Sequence, residues 1–145
     1  MMVYLDTSFV APLVIAENSS EAVEAFVLKV KAGELATSLW TQVELSGLVS
    51  RKVRMGELSD SNAEVVRREF DRVLGESFEM LAPTAADFAA AAKYLELHKT
   101  GLRAGDALHL AIAANRHAKR ILTLDPGFLE AGKLLNLPVT RGIKA

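Results

Sequence analysis

The chain has 145 residues, a net charge of −1 and no cysteine. A domain of this length buries roughly 68–70% of its unfolded surface and needs no disulfide, and the missing cysteines exclude thiolate nucleophiles and cysteine-ligated zinc. A general nucleic-acid binder usually carries a clear basic excess, so any basic footprint here must be local. Because no basic leader region and no long apolar run occur, we expect a soluble cytoplasmic protein without membrane attachment.

Strand-like and helix-like segments alternate along the chain, separated by glycine, proline or capping residues. In chain order we predict a strand at Val3 to Leu5, a helix at Phe9 to Ala16, a helix after Asn18 that ends at Gly33, a strand at Glu34 to Thr37, a helix from Ser38 to about Arg54, a helix after Ser59, a strand at Phe78 to Leu81, a helix from Thr84 to Leu95, a helix from Ala107 to about His117, a strand at Arg120 to Leu124, a short helix at Leu129 to Leu135 and a strand near Pro138 to Thr140. This alternation indicates one α/β domain over residues 1–145, a three-layer sandwich with a mainly parallel central sheet.

Capping signals mark three of the predicted helix starts. Thr7 or Ser8 can cap the first helix, and Asn18 to Glu21 has the spacing of a capping box. Thr84, with Asp87 three residues later, has the same spacing. We therefore expect each of these helices to begin at its capping residue.

Acidic side chains stand where the predicted strands and helices meet. Two predicted strands end on an acid, at Asp6 and at Asp125. Ligands of open α/β sheets bind beyond the carboxyl ends of the strands. Asp106 stands at the head of a helix that is apolar nearly all round and therefore buried, and Glu44 lies in a helix whose next turn is apolar. The four carboxylates could converge at one edge of the sheet.

Such a cluster needs compensating positive charge, because like charges repel and partial burial removes hydration. Arg103 is the one basic residue close to these acids in sequence. Four carboxylates balance two divalent cations, and oxygen ligands suit Mg²⁺ or Mn²⁺. Two such ions roughly 3.5–4 Å apart can drive phosphodiester hydrolysis. The hydroxyls of Thr7, Ser8 and Thr123 adjoin the acids in sequence and could hold a ligand carboxylate or a metal-bound water by hydrogen bonds.

The segments around the acids resemble a known family. They are Leu5-Asp6-Thr7-Ser8, Glu44 in the third predicted helix, the run LRAGDALHLA from Leu102 to Ala111, and Leu122-Thr123-Leu124-Asp125 followed by Phe128. These segments are similar to those of PIN domains of the VapC toxin type. The resemblance covers essentially the whole chain, and the segment around Asp106 is its most specific part.

The resemblance implies a Mg²⁺- or Mn²⁺-dependent endoribonuclease whose nucleophile is metal-activated water. It implies that the metal ligands are Asp6, Glu44, Asp106 and Asp125. It further implies a toxin that cleaves tRNA, rRNA or mRNA to leave a 5′-phosphate and a 3′-hydroxyl. Such toxins are commonly homodimers and are inhibited by a cognate VapB-like antitoxin protein.

Basic residues recur on the predicted helices, and most are expected to be solvated. Arg51, Lys52 and Arg54 follow Glu44 on its own helix and could reach RNA phosphates beside the metal ions. Arg103 could neutralise an acid or contact phosphate. These four residues are the possible RNA contacts.

Other polar and aromatic residues are interpreted as structural. His109 lies in an alanine- and leucine-rich helix, and the three histidines lack zinc-site spacing, so His109 is predicted to be a satisfied core or near-surface histidine. Trp40 and Phe26 are interpreted as core or dimer-face residues rather than base-stacking platforms. The apolar segment from Phe9 to Val30 is a candidate dimer surface.

Three alternative functions compete with the nuclease. A haloacid-dehalogenase-like phosphohydrolase needs a second aspartate two residues after the first, and this chain has Ser8 there. A catalytically silent PIN-fold module that binds RNA or protein stays open, although all four acids are retained. Cleavage of DNA also stays open, because two-metal chemistry serves both polymers.

Overall fold

The computed structural model describes residues 1–144 of the chain. The elements in chain order are β1 (Val3–Leu5), α1 (Thr7–Val10), α2 (Ser20–Lys29), β2 (Leu35–Ser38), α3 (Leu39–Arg54), α4 (Asp60–Ser77), β3 (Glu79–Leu81), α5 (Ala85–Glu96), α6 (Ala104–Asn115), β4 (Arg120–Leu122), α7 (Pro126–Leu134) and β5 (Val139–Thr140), with 3₁₀ turns at Ala11–Leu13 and His98–Thr100. Each predicted strand and helix has a counterpart, although several begin or end at other residues than predicted. Within residues 1–144, no helix combines the length and the apolar character needed to cross a bilayer.

The five strands form one parallel sheet in the order β3-β2-β1-β4-β5. The central strand β1 pairs with β2 at Val3 and Leu35, and with β4 at Leu5 and Leu122. The chain builds outward from β1 to β3 and then crosses to the other side of β1 to add β4. The strand order therefore reverses between β1 and β4, which is where open α/β sheets bind their ligands.

Successive side chains of β1 enter two separate cores, because side chains alternate between the faces of a strand. Leu5 joins a cluster that includes Leu45 of α3. Tyr4 joins the other cluster, with Leu110 of α6 and Phe128 of α7. Helices thus cover both faces of the sheet, and the predicted three-layer α/β architecture is confirmed.

The first predicted helix is interrupted at its middle. The segment from Phe9 to Ala16 was expected to be one helix, but α1 ends at Val10 and a 3₁₀ turn containing Pro12 follows. Proline has no amide hydrogen and its ring collides with the carbonyl four residues earlier, so the α-helix cannot continue through it.

Two predicted capping boxes have different outcomes. The one at Asn18 to Glu21 is wrong, because α2 begins at Ser20 and its N-cap Ser19 makes no side-chain capping bond. The one at Thr84 and Asp87 is confirmed, with both reciprocal hydrogen bonds present. Matching spacing alone did not distinguish the two.

Two helices near the carboxylates begin three residues earlier than predicted. α6 begins at Ala104, so Asp106 lies in its first turn rather than in the cap position. α7 begins at Pro126, and Asp125 is its N-cap. Both acids therefore lie at helix N-termini, where the helix dipole favours negative charge.

The apolar segment from Phe9 to Val30 is partly buried in the core of the chain. Phe9, Val10 and Val23 have no exposed surface and belong to the core, whereas Leu28 is 85% exposed. The proposal that this segment forms a dimer surface stays a prediction.

Candidate active site

A cavity of about 430 Å³ lies at the carboxyl ends of β1 and β4, where the strand order reverses. All four predicted acids line this cavity, and each comes from a different part of the fold. Asp6 follows β1, Glu44 lies on α3, Asp106 lies on α6 and Asp125 caps α7. The structure thus brings together residues that are up to 119 positions apart in the chain (125 − 6).

Asp6 is the most buried of the four acids, with 3% of its surface exposed. Its Oδ1 accepts hydrogen bonds from Ser8 Oγ at 2.7 Å and Phe9 N at 3.0 Å, and its Oδ2 accepts one from Thr123 Oγ1 at 2.6 Å. Burial raises the pKa of Asp6, and the surrounding groups that favour ionisation offset only part of this effect. The bond from Phe9 N makes Asp6 the cap of α1, in place of the predicted Thr7 or Ser8.

Ser8 and Thr123 connect the ends of β1 and β4. Ser8 Oγ accepts a hydrogen bond from Leu124 N at 2.9 Å, and Thr123 Oγ1 accepts one from Asp125 N at 3.1 Å. The two hydroxyl oxygens lie 3.2 Å apart. Because both hydroxyls also donate to Asp6, they hold its carboxylate in a fixed position relative to both strands.

Glu44 is held by two donors on its Oε1 atom. Thr7 Oγ1 donates at 2.6 Å, and His109 Nε2 lies at 2.5 Å. Burial pushes the pKa of Glu44 upward, but the interactions with His109 and Thr7 outweigh it and leave the pKa below its ordinary value. Glu44 is therefore kept ionised, and one of its oxygens is fixed.

Asp106 and Asp125 share Arg103 as their counter-charge. Arg103 Nη2 donates to Asp125 Oδ2 at 3.0 Å, and its Nε lies 3.8 Å from Asp106 Oδ2. Since 80% of the Arg103 side chain is exposed, solvent screens both ion pairs. Burial, together with the charges of Asp125 and Asp6, raises the pKa of Asp106 to about 6. Asp106 thus lacks sufficient compensating charge.

Three arginines bring positive charge to the cavity wall. Arg51 and Arg54 come from the last turn of α3, and Arg103 precedes α6. Lys52 does not line the cavity, and its Nζ lies 3.4 Å from Glu57 Oε2, so its contact with RNA stays a prediction. Successive residues of an α-helix are rotated by about 100° about its axis, so Lys52 lies on a different side of α3 from Arg51.

His109 also lines the cavity, although it is absent from the predicted site residues. The prediction that it is a satisfied core histidine is confirmed, because it is 1% exposed and hydrogen-bonded. Its position three residues after Asp106 places both on one face of α6. The spacing of three residues from Asp106 could have indicated that His109 lies near the site. The apolar residues around His109 favoured a core position instead.

The carboxylates do not form a preassembled metal site. Among residues 1–144, no three His, Asp or Glu side chains are grouped so that they could hold an ion. Their oxygens nevertheless form a donor set that suits a hard divalent cation. Burial raises the pKa of Asp6, and burial with repulsion raises that of Asp106; a cation nearby would favour the ionised form of both. The chemistry of these donor groups therefore suits Mg²⁺ or Mn²⁺, whereas their present spacing does not hold an ion.

Comparison with protein families gives one match over most of the chain, in which the PIN domain model covers residues 3–134. The chain belongs to the PIN-domain family. The matched span contains all four acids that line the cavity of this PIN domain. A search of curated proteins found no significant match.

Solved structures share the fold of this PIN domain at low sequence identity. VapC20 from Mycobacterium tuberculosis, described as a sarcin–ricin loop cleaving toxin, is 18% identical, with a TM-score of 0.74 over 90% of this chain and 95% of that one. VapBC-1 from nontypeable Haemophilus influenzae is 18% identical, with a TM-score of 0.72 over 98% of each chain. VapBC2 from Rickettsia felis, bound to a promoter DNA fragment, is 19% identical, with a TM-score of 0.68 over 97% and 98%.

Proposed function

We propose that this PIN domain is a Mg²⁺- or Mn²⁺-dependent endoribonuclease and the toxin of a VapBC-type toxin–antitoxin pair. The observation that carries the proposal is the convergence of four carboxylates from four elements on one cavity that three arginines border. Carboxylates suit hard cations, and arginines suit phosphate. Hydrolysis of a phosphodiester needs both kinds of group in one place.

The four acids would hold the metal in this mechanism, namely Asp6, Glu44, Asp106 and Asp125. The bound metal would polarise the phosphodiester and lower the pKa of the attacking water. The chain itself fixes the acids that would hold the metal. Ser8 and Thr123 orient Asp6, and Thr7 restrains one oxygen of Glu44.

The arginines would bind the RNA backbone, as contacts to phosphate position a nucleic acid without reading its sequence. Arg51 and Arg54 lie in the cavity wall on the same helix as Glu44. Arg103 is 80% exposed and compensates Asp125 and Asp106. It is free to turn toward phosphate once a metal supplies that compensation.

The choice of RNA and of an antitoxin partner rests on likeness to known proteins. VapC20 is described as cleaving the sarcin–ricin loop, and two of the similar structures are VapBC pairs. We therefore propose an RNA substrate and a VapB-like antitoxin that inhibits the enzyme. We also propose that both act in the cytoplasm.

The proposed homodimer has a second candidate surface besides the segment from Phe9 to Val30. It is an apolar groove of about 320 Å³ formed by α3, α5 and α6. Phe88 lines the groove and is 57% exposed. Trp40 also lines it, and its buried Nε1 has no hydrogen-bond partner within residues 1–144. Exposed apolar patches mark interaction sites, so light scattering of Phe88→Glu should report a monomer.

A catalytically silent PIN-fold module that binds RNA or protein is the alternative function. The raised pKa values of Asp6 and Asp106 argue against it. Those acids destabilise the free protein through burial and repulsion, and they would also repel an RNA backbone. A binding module gains nothing from such a cluster, whereas a metal-dependent nuclease requires it.

The test uses purified, antitoxin-free protein incubated with total RNA or with DNA, in Mg²⁺, in Mn²⁺ and in excess EDTA. Asp6→Asn and Asp106→Asn are the site variants, and Asp71→Asn, at an exposed position on α4, is the matched control. We expect discrete metal-dependent RNA cuts that both site variants lose and the control retains. Cleavage of DNA alone would change the substrate class, and no cleavage by folded protein under any metal would favour the binding module.

A further inference from the structure

The buried side of Glu44 is connected to a chain of polar side chains that the proposed mechanism does not use. We propose that His109, held in place by Tyr4 and Ser38, is a positioning residue that fixes the Glu44 carboxylate for metal binding. This inference rests on the proposed function, because it assigns His109 a role toward the metal that Glu44 would hold.

The polar chain is continuous from the end of β2 to the cavity. Ser38 Oγ lies 2.9 Å from Tyr4 Oη, and Tyr4 Oη lies 2.8 Å from His109 Nδ1. His109 Nε2 lies 2.5 Å from Glu44 Oε1. Ser38 and Tyr4 have no exposed surface, and His109 is 1% exposed. Water therefore cannot replace any of the three inner partners.

The donors and acceptors of this chain can be assigned from one end. The Glu44 carboxylate only accepts, so His109 Nε2 must carry the hydrogen. In a neutral ring, Nδ1 then accepts from the hydroxyl of Tyr4, whose pKa burial raises so that it stays protonated. The Tyr4 oxygen accepts in turn from Ser38. Each polar atom in this series of side chains has a partner, and the series ends with the N–H of His109 Nε2 donating to Glu44.

The imidazole ring is also fixed by its aromatic neighbours. The ring of Tyr4 meets it edge-on at a centroid distance of 5.8 Å and an angle of 61°. Phe128 of α7 lies on another side at 6.3 Å. The ring therefore cannot reorient without disturbing the core. This rigidity suits a group that must hold another side chain within a fraction of an ångström.

The hydrogen-bonded series of side chains ends at Glu44, and this distinguishes a positioning role for His109 from simple core packing. A polar ring in an apolar core lowers stability unless it is satisfied, and an aliphatic residue would pack without that requirement. Here the hydrogen bonds lead out of the core to a carboxylate that is 30% exposed and faces the cavity. Without His109, only Thr7 would restrain that carboxylate. The arrangement matches the outer donors that orient metal ligands.

Two substitutions of His109 distinguish the role of its Nε2 atom from that of its Nδ1 atom. The amide nitrogen of His109→Gln reaches about as far as Nε2 and can still donate to Glu44, whereas His109→Asn reaches only as far as Nδ1. The matched control is His117→Asn, at an exposed position with φ 55°, a left-handed conformation that asparagine tolerates. Glu44→Gln reports whether Glu44 binds metal at all.

The measurement is the Mn²⁺ dissociation constant from electron paramagnetic resonance, with thermal unfolding followed for each variant. We expect wild type, His117→Asn and His109→Gln to bind Mn²⁺ similarly, and His109→Asn to bind about 10–100-fold more weakly. Tyr4→Phe should weaken binding less. The double variant of Tyr4→Phe and His109→Asn should bind no more weakly than His109→Asn alone, because both changes break one chain.

The outcomes separate this inference from the proposed function. If Glu44→Gln weakens Mn²⁺ binding but His109→Asn leaves it unchanged, the inference is wrong and the proposed function stands. An equal loss in His109→Gln and His109→Asn would also overturn it, since the donor would then be irrelevant. If Glu44→Gln binds like wild type, the metal role of Glu44 fails, and the inference with it. Should His109→Asn not fold, Tyr4→Phe and His109→Gln carry the test, and unchanged binding in Tyr4→Phe overturns the inference.

Discussion

Gly105 faces the carboxylate of Glu44 so closely that a side chain at position 105 would touch it. A Cβ atom there would lie 3.0 Å from Glu44 Oε2 and 3.4 Å from Trp40 Nε1. Glycine inside a helix costs about 1 kcal/mol relative to alanine, so its presence in the first turn of α6 is unfavourable locally. The absence of a side chain lets α6 approach α3 closely enough for His109 to reach Glu44.

Gly105→Ala should therefore separate stability from function. We expect the free energy of unfolding to change by no more than about 1 kcal/mol, because better helix propensity offsets the close contact. The Glu44 carboxylate should be displaced, so Mn²⁺ affinity should fall by about 10-fold. The control is Gly75→Ala in α4, where an added Cβ meets nothing within 4 Å. Unchanged Mn²⁺ affinity in Gly105→Ala would show that Glu44 tolerates displacement.

Thr123→Val should weaken both the fold and the metal site. Valine keeps the shape of threonine but removes the 2.6 Å hydrogen bond to Asp6 and the acceptor for Asp125 N. Hydrogen bonds to charged groups contribute about 1.5–3 kcal/mol, and we expect a loss of that size in urea unfolding at pH 7. Thr140→Val on the adjacent strand β5 is the control, and it should lose much less. Equal losses at the two positions would contradict a special role for Thr123.

Asp106→Asn should stabilise the metal-free protein at neutral pH. The folded protein raises the pKa of Asp106 to about 6 from its ordinary value of 3.8, so the folded state binds a proton that the unfolded state has released. Stability contributed by this group therefore falls as pH rises from about 4 to 6 and stays low above that range. In EDTA at pH 7 the variant should gain on the order of 1 kcal/mol, and at pH 4 the gain should vanish. A constant difference across this range would exclude the proposed titration.

Asp87→Asn should destabilise the fold without affecting the metal site. The Asp87 carboxylate is 1% exposed and accepts hydrogen bonds from Thr84 N, Asn115 Nδ2 and Arg116 Nη1. Burial raises its pKa, but these donors and the Arg116 charge outweigh burial and lower it overall. The contribution is therefore present above the ordinary pKa of aspartate and is lost as pH falls.

For Asp87→Asn at pH 7 we expect a loss of about 1–3 kcal/mol and a wild-type Mn²⁺ dissociation constant in the folded fraction. The destabilisation should shrink when both proteins are compared at acidic pH. A weakened Mn²⁺ affinity would show that loss of stability alone lowers metal binding. The Mn²⁺ affinities of the site variants would then have to be corrected for their own loss of stability.

The sequence by itself determined the order of the elements, and it predicted the four acids that the fold brings to one cavity. Apolar runs and the glycine, proline and capping residues between them are local signals, so β1 and β4 could be recognised without knowledge of their neighbours. Asp6 directly follows β1 and Asp125 lies three residues after the end of β4, and parallel strands present their carboxyl ends at one edge. Local reasoning was sufficient wherever a residue's environment is made by its own segment.

Only the tertiary structure decided which partners each acid has. Glu44 and His109 are 65 residues apart in sequence, and Arg103 reaches Asp125 across 22 residues. Lys52 and Arg51 are neighbours in sequence, but the phase of α3 against the sheet places only Arg51 at the cavity. Helix starts, hydrogen-bond partners and the direction of a side chain depend on how separate elements pack together, and no local pattern contains that information.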